Sequence, residues 1–256
     1  MTLFNSSIER ASKLWRATGL GKTRATRLLD TVANIPLWIG LSYPYGTLYG
    51  WTLHEKLHNP EPETIAFFKK KIRPGDRIAD IGANIGYYTL FFSDLVGEQG
   101  KVVAFEPSPG AFARLSRAAG VKKNITLENK GVYSKADTLR LYSKRKGDPL
   151  GSMMYSRGSY FDEVPVIPLR EYPEQFTMAK IDVEGAEIEV LRGMKTRIPA
   201  SLEVAGLHPG GIKKYLSEIE ALGYSIYFIV DNGETVPYEN GDISPLQINI
   251  YIEPTT

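Results

Sequence analysis

Three short blocks of this chain carry residue types and spacings that could do chemistry. The first is Asp80-Ile81-Gly82-Ala83-Asn84-Ile85-Gly86. Its glycines follow an apolar run and precede a helical pattern, so they sit at a strand-to-helix turn. There they let the backbone approach a ligand closely and take conformations closed to other residues, while the next helix offers free N–H groups. A dinucleotide fingerprint, G-x-G-x-x-G, would need glycine where Asn84 and Tyr87 stand. The bend therefore suits a smaller ligand with no phosphate to cradle, and Asp80 at the strand end can accept from a ligand ammonium, directly or through water. The second block is Phe105-Glu106-Pro107, with Glu106 20 residues after Gly86. An acid at that strand end can accept from both ribose hydroxyls. Ribose recognition without a phosphate cradle indicates a nucleoside ligand, and among common cofactors S-adenosylmethionine fits.

The third block is Asp182-Val183-Glu184. It closes an expected strand, where open α/β sheets bind ligands. Strand alternation sends Asp182 and Glu184 to one side. Two such carboxylates could share a proton, bind a divalent metal or grip the hydroxyls of a sugar. Glu187 could join them from the first helical turn, or simply favour the helix N-terminus. His208, before Pro209, is a second candidate base. Group transfer to an alcohol would need alignment, which can contribute roughly 7–11 kcal/mol, and a base, which contributes about 10²–10⁴-fold.

These blocks need a frame to bring them together. From residue 60 the pattern alternates. Helices are expected over 62–71, 87–96, 109–119, 186–194 and 212–222, and strands over 77–83, 101–105, 125–132, 139–142, 164–168, 178–183, 201–207, 225–230 and 246–252. Such alternation gives a mostly parallel sheet with helices on both faces, and the last two strands, with no helix between them, should pair antiparallel as a hairpin. Residues 1–59 read separately, as a helical, basic N-terminal extension ahead of a catalytic domain over 60–256. Substrate recognition is expected from the irregular stretch 143–161, where Tyr155, Tyr160 and Phe161 could stack on sugar rings and Lys144-Arg145-Lys146 would attract an anionic acceptor.

The composition removes several classes. The 256 residues contain no cysteine, which excludes disulfides, zinc–thiolate sites and a cysteine nucleophile. His54 and His58 lie four apart, but no third ligand type stands near them in sequence, and no metal is expected. Gly19-Leu20-Gly21-Lys22-Thr23 fails as a phosphate loop because Arg16 occupies the position of its first glycine. A net charge of +2 gives no case for a nucleic-acid partner. Within residues 1–30, however, six basic residues face two acidic ones. That arm could touch a membrane surface, an anionic glycan or RNA, although a solvated helical cap is the plainer reading. The apolar stretch 35–53 is broken by Pro36, Gly40, Pro44, Gly46 and Gly50, and the N-terminus lacks the order of a secretory signal. A cytoplasmic protein, with any membrane contact peripheral, is the expectation.

The blocks Asp80-Ile-Gly-Ala-Asn-Ile-Gly-Tyr-Tyr-Thr89, Ala104-Phe-Glu-Pro107 and Lys180-Ile-Asp-Val-Glu-Gly-Ala-Glu187 together resemble the FkbM family of methyltransferases over roughly residues 60–210. The resemblance implies a class I (Rossmann-like) α/β methyltransferase fold, with a seven-stranded mostly parallel sheet and an antiparallel C-terminal strand pair, that uses S-adenosylmethionine. It implies that Asp80, Gly82, Asn84 and Gly86 line the methionine end of the cofactor and that Glu106 binds its ribose, with Thr89 and Pro107 completing the set. Asp182 would face the transferred methyl, with Glu184 and His208 as further catalytic candidates. Family members are mostly linked to O-methylation of sugars, glycolipids or natural products, so a saccharide, glycolipid or small-molecule acceptor is expected. An RNA methyltransferase and a non-catalytic S-adenosylmethionine-binding protein are the alternatives. Here the fifth-strand end Glu203-Val-Ala-Gly-Leu-His208 is only a loose version of the family's E-x-H ending.

Overall fold

Strand β1 (Arg77–Ile81) is buried after its first residue because a neighbour flanks it on each side: β2 (Lys101–Phe105) and β7 (Met178–Ile181), both parallel to it. This centre is seen in a computed structural model that describes residues 61–143, 160–205, 210–239 and 247–255. The expected helical arm over 1–59, His54 and His58, the basic triplet 144–146 and His208 lie outside the described residues.

Beyond β2 lies β3 (Ile125–Glu128), and beyond β7 lies β8 (Ala200–Ala205), all parallel. The chain thus builds outward one way from β1 and then the other way from β7. The gap between β1 and β7 is a topological switch point, where the carboxyl ends of strands leave a crevice. The far side holds β9 (Tyr224–Ile229), β10 (Thr235–Pro237) and β11 (Gln247–Pro254), giving the order β10-β9-β11-β8-β7-β1-β2-β3. The sheet therefore has eight strands rather than the expected seven, the extra one being the short edge strand β10. The last two long strands do pair antiparallel, with Ile250 opposite Phe228. They are not an edge hairpin, however, because β11 inserts between β9 and β8 and runs against both.

A second sheet has the order β4-β6-β5. It comprises β4 (Gly131–Val132), β5 (Asp137–Ser143) and β6 (Tyr160–Ile167). The single strand expected over 125–132 breaks here into β3 and β4, one in each sheet. The break falls at Asn129, whose Nδ2 donates to the carbonyl of Glu106 at 2.8 Å and ties the chain to the end of β2 instead of prolonging the ladder.

Helix α1 (Pro62–Lys71) and α2 (Tyr87–Val96) bury aromatic faces, with Phe68 and Phe92 edge to face at 4.7 Å. Helix α3 (Pro109–Ala119) starts with proline in its first turn and a Ser108 hydroxyl that accepts from the Ala111 N–H, both expected at a helix start. Helix α4 (Glu187–Arg192) and α5 (Gly211–Ala221) pack Val190, Leu191, Tyr215, Leu216 and Ile219 against Ala79, Ile81, Val103, Ala179 and Ile181. Alternation then turns Asp80 and Lys180 to the opposite face, under α2. No described helix is long and apolar enough to cross a membrane.

Candidate functional site

A cleft opens at the carboxyl ends of β1, β2, β7 and β8. Its apolar walls are Ile81, Phe105, Val132, Val183 and Leu141, the last contributed by the second sheet. Its polar walls include Asn84, Glu106, Ser108, Asp182, Glu184 and Glu203, joined by Gly82, Pro107 and Gly131.

The Asp80–Gly86 bend and Glu106 meet directly. Glu106 Oε2 accepts from the Asn84 N–H at 2.8 Å, and Oε1 from the Ser108 N–H at 2.7 Å. Asn84 adopts the left-handed region at φ 51°, which aims its N–H at that carboxylate. Burial pushes Glu106 up to about 7, against the opposing effect of these two N–H donors. Gly82, at φ +81°, has no alternative: a Cβ there would overlap the carbonyl oxygen of Asp182, so only glycine lets the ends of β1 and β7 close together. Gly86, at φ +99°, opens α2 and would press a Cβ to 2.8 Å from Leu115.

Asp80 and Thr89 sit behind the bend and do not line the cleft. Both are fully buried, and the Thr89 hydroxyl donates to Asp80 Oδ2 at 2.5 Å. Asp80 Oδ1 is buried with no partner. Burial raises the pKa of Asp80, partly offset by Lys180.

Asp182 follows the last residue of β7, and its Oδ2 accepts from Lys180 Nζ at 2.8 Å. That ammonium is buried, 4.9 Å from the centre of the Tyr88 ring. Burial alone would lower the pKa of Lys180, but Asp182 and Asp80 together outweigh it and raise the value. Strand alternation is not what brings Glu184 to the cleft. The strand ends at Ile181, and Glu184 and Gly185 turn through φ 55° and 107°. The turn still delivers both Asp182 and Glu184 to the cleft wall. Glu187 does not join them. It is buried, accepting from the Gly185 N–H at 2.9 Å and the Tyr215 hydroxyl at 2.9 Å, and so clamps the turn.

Two participants stood in the quoted sequence blocks without being given a role. Lys180 is one. Glu203 is the other: it stands one residue past Leu202, which pairs with Ile181, so it lines the cleft beside Asp182. Burial first, and the Asp182 charge second, push Glu203 up to about 8. The available signal was an acid at a strand's carboxyl end beside the switch point. In the second sheet, Phe161 faces away from the side of Leu141, with Arg140 4.5 Å over its ring, and the Tyr160 hydroxyl lies 3.3 Å from Asp162. Among the described residues no group of three or more His, Asp or Glu is placed to hold a metal ion.

The sequence matches the methyltransferase FkbM domain over residues 80–226, more than half of the chain. The chain belongs to the FkbM methyltransferase family. It is similar to the hexuronic acid methyltransferase AglP of Haloferax volcanii, at 29% identity over 62% of this chain and 68% of that one. It is also similar to methyltransferase sdnD of Sordaria araneosa, at 27% identity over 68% and 79% of the two chains. A third relative, methyltransferase 1 of Beauveria bassiana, is 28% identical over 46% of this chain, which spans 57% of that protein's length. The FkbM chain is thus a methyltransferase of Rossmann-like fold whose methyl donor is S-adenosylmethionine. Its residues fit that donor. Each oxygen of Glu106 accepts one N–H and keeps a lone pair for a ribose hydroxyl. Behind the bend, Asp80 Oδ1 is a buried acceptor in need of a donor.

Proposed function

We propose that this FkbM methyltransferase methylates a hydroxyl of a saccharide or saccharide-bearing lipid, with Asp182 as the base. When bound, S-adenosylmethionine supplies a methyl group already activated by a positive sulfur. Glu106 holds the ribose, and Asn84 and Gly82 line the methionine end, with Asp80 drawing on the ammonium from behind. Asp182 takes the acceptor's proton, and Glu184 orients the acceptor through its hydroxyls. The observation that carries this reading is the position of Asp182: it closes β7 at the switch point, in the same cleft wall as Glu106, with its carboxylate fixed by a buried ammonium. The name of the AglP relative supports a sugar acceptor.

The test is transfer of radiolabelled methyl into a fractionated cell extract. Label should enter a saccharide-bearing fraction and survive mild alkali, because an ether resists hydrolysis. Alkali-labile label would mean a carboxylate acceptor, which needs no base, and label in RNA would mean a different substrate class. Either result overturns the proposal.

The Glu106 assignment also sets a pH dependence. Free Glu106 titrates at about 7, and two ribose hydroxyls donating to it would lower that value in the complex. Binding therefore requires loss of a proton at lower pH. Affinity for S-adenosylhomocysteine should fall by up to ~tenfold per pH unit below about 7 and level off above it. Calorimetry across this range checks it, and a flat profile contradicts ribose binding by Glu106.

A further inference from the structure

We propose that Asp182 and Glu203 act as a pair holding a single proton over the fixed charge of Lys180, with Glu203 as the positioning residue that presents Asp182 to the acceptor. The inference rests on the reading of Asp182 as the base for a hydroxyl acceptor, and it adds a residue to which that reading gives no role.

The sheet register creates the pair. Ile181 and Leu202 are partners on adjacent parallel strands, and the residue that follows each of them is acidic. Neighbouring strands lie about 4.8 Å apart, so the two carboxyls meet at the cleft wall that both line. After burial, the charge of Asp182 is the largest influence on Glu203. Two like charges so close in one cleft wall repel, and carboxylates only accept, so a proton on one of them both removes the repulsion and lets the two hydrogen-bond. Lys180 decides which. Its buried Nζ donates to Asp182 Oδ2 at 2.8 Å, so the buried positive charge is placed on Asp182 of the two. The proton then belongs to Glu203.

The other charges around Glu203 agree. Glu61, ahead of α1, adds negative charge, while Lys180 opposes it. Glu61 is itself held by the Tyr88 hydroxyl of α2 at 2.8 Å and by Asn249 Nδ2 of β11 at 2.9 Å. Asn249 is the register partner of Glu203, so β11 carries the same network across the strand. Asp80 lies opposite Lys180 on β1, and Glu106 and Glu184 line the same cleft. Burial first, then Asp182, with Glu61 adding and Lys180 opposing, place the titration of Glu203 at about 8.

This arrangement settles the proton balance of the transfer. The acceptor O–H bond breaks and its proton passes to Asp182. The freed oxygen pair forms the bond to the methyl carbon, and the pair of the broken carbon–sulfur bond stays on sulfur. One positive charge leaves the donor and one proton joins the carboxyl pair, so the site's net charge does not change. Lys180 holds one oxygen of Asp182 through its donated hydrogen bond, and the Glu203 proton orients the other.

Carboxyl ¹³C NMR titration of the full chain tests the pair without any acceptor, so its outcome is independent of what is methylated. The Glu203 resonance is assigned by its loss in Glu203→Gln. Its midpoint should lie near 8 in the unsubstituted chain. In Asp182→Asn it should fall by roughly two or more units, because the like charge is gone and Lys180 is left uncompensated. A midpoint at the ordinary glutamate value of 4.5 in the unsubstituted chain, or no change in Asp182→Asn, overturns the proposal. Single-turnover rates supply the functional arm. The unsubstituted profile should bend near pH 8, and Glu203→Gln, which still donates to Asp182 but cannot ionise, should lose the bend and turn over faster than Glu203→Ala. A bend retained in Glu203→Gln, or equal rates in the two variants, also overturns it.

Discussion

Glu106→Ala should reduce the affinity for S-adenosylhomocysteine by about 10²–10⁴-fold in calorimetry. The estimate takes two ribose hydroxyl bonds to a charged acceptor at roughly 1.5–3 kcal/mol each, with ~1.4 kcal/mol per tenfold change. Part of the loss would be local. Glu106 also holds the N–H groups of Asn84 and Ser108, which fix the glycine bend and the entry to α3. Alanine leaves both donors without that acceptor, so a modest drop in melting temperature should accompany the loss of binding. An affinity within a few-fold of the unsubstituted chain would remove the ribose role, whatever happens to stability.

Asp182→Asn should lower kcat by about 10²–10⁴-fold, the range for a lost general base, while leaving S-adenosylhomocysteine affinity nearly intact. Asparagine keeps the shape and an oxygen that can accept from Lys180 Nζ, but it cannot take a proton. Removing the negative charge leaves the buried Lys180 ammonium uncompensated, so the variant should also be less stable. Thermal denaturation separates the two effects: the kcat loss should persist at temperatures where the variant is fully folded. If kcat falls only about threefold under those conditions, alignment alone carries the reaction and Asp182 serves to orient.

Both predictions concern residues that the sequence already set apart, and there is a reason for that. An apolar run that ends in an acid and a glycine-rich bend marks the carboxyl end of a strand. Such a signal is local, contained in about ten residues, and the strand-to-helix turn at Gly82–Gly86 keeps it intact. Asp80, Glu106 and Asp182 were legible in this way, and so was the alternation that builds a mostly parallel sheet. Where the backbone leaves the regular pattern, the same reasoning loses its hold. Glu184 is a non-glycine residue at φ 55°, which ends the two-residue period and makes alternation past Ile181 meaningless. The run over 125–132 reads as one strand because every residue in it tolerates an extended backbone, yet Asn129 anchors to the end of β2 and divides the run between two sheets.

The sequence by itself determined that strands and helices alternate and that Glu106 and Asp182 each directly follow a strand. Only the tertiary structure decided which strands are neighbours. Periodicity within an element carries no information about what lies beside it, so nothing local announces that β11 slips between β9 and β8. In the same way, Lys180, Asp182 and Glu203 became one charged cluster through the register of β7 against β8. That register is set by packing across the whole sheet, through side chains such as Ile181 and Leu202 that are far apart in the chain and buried together in the core.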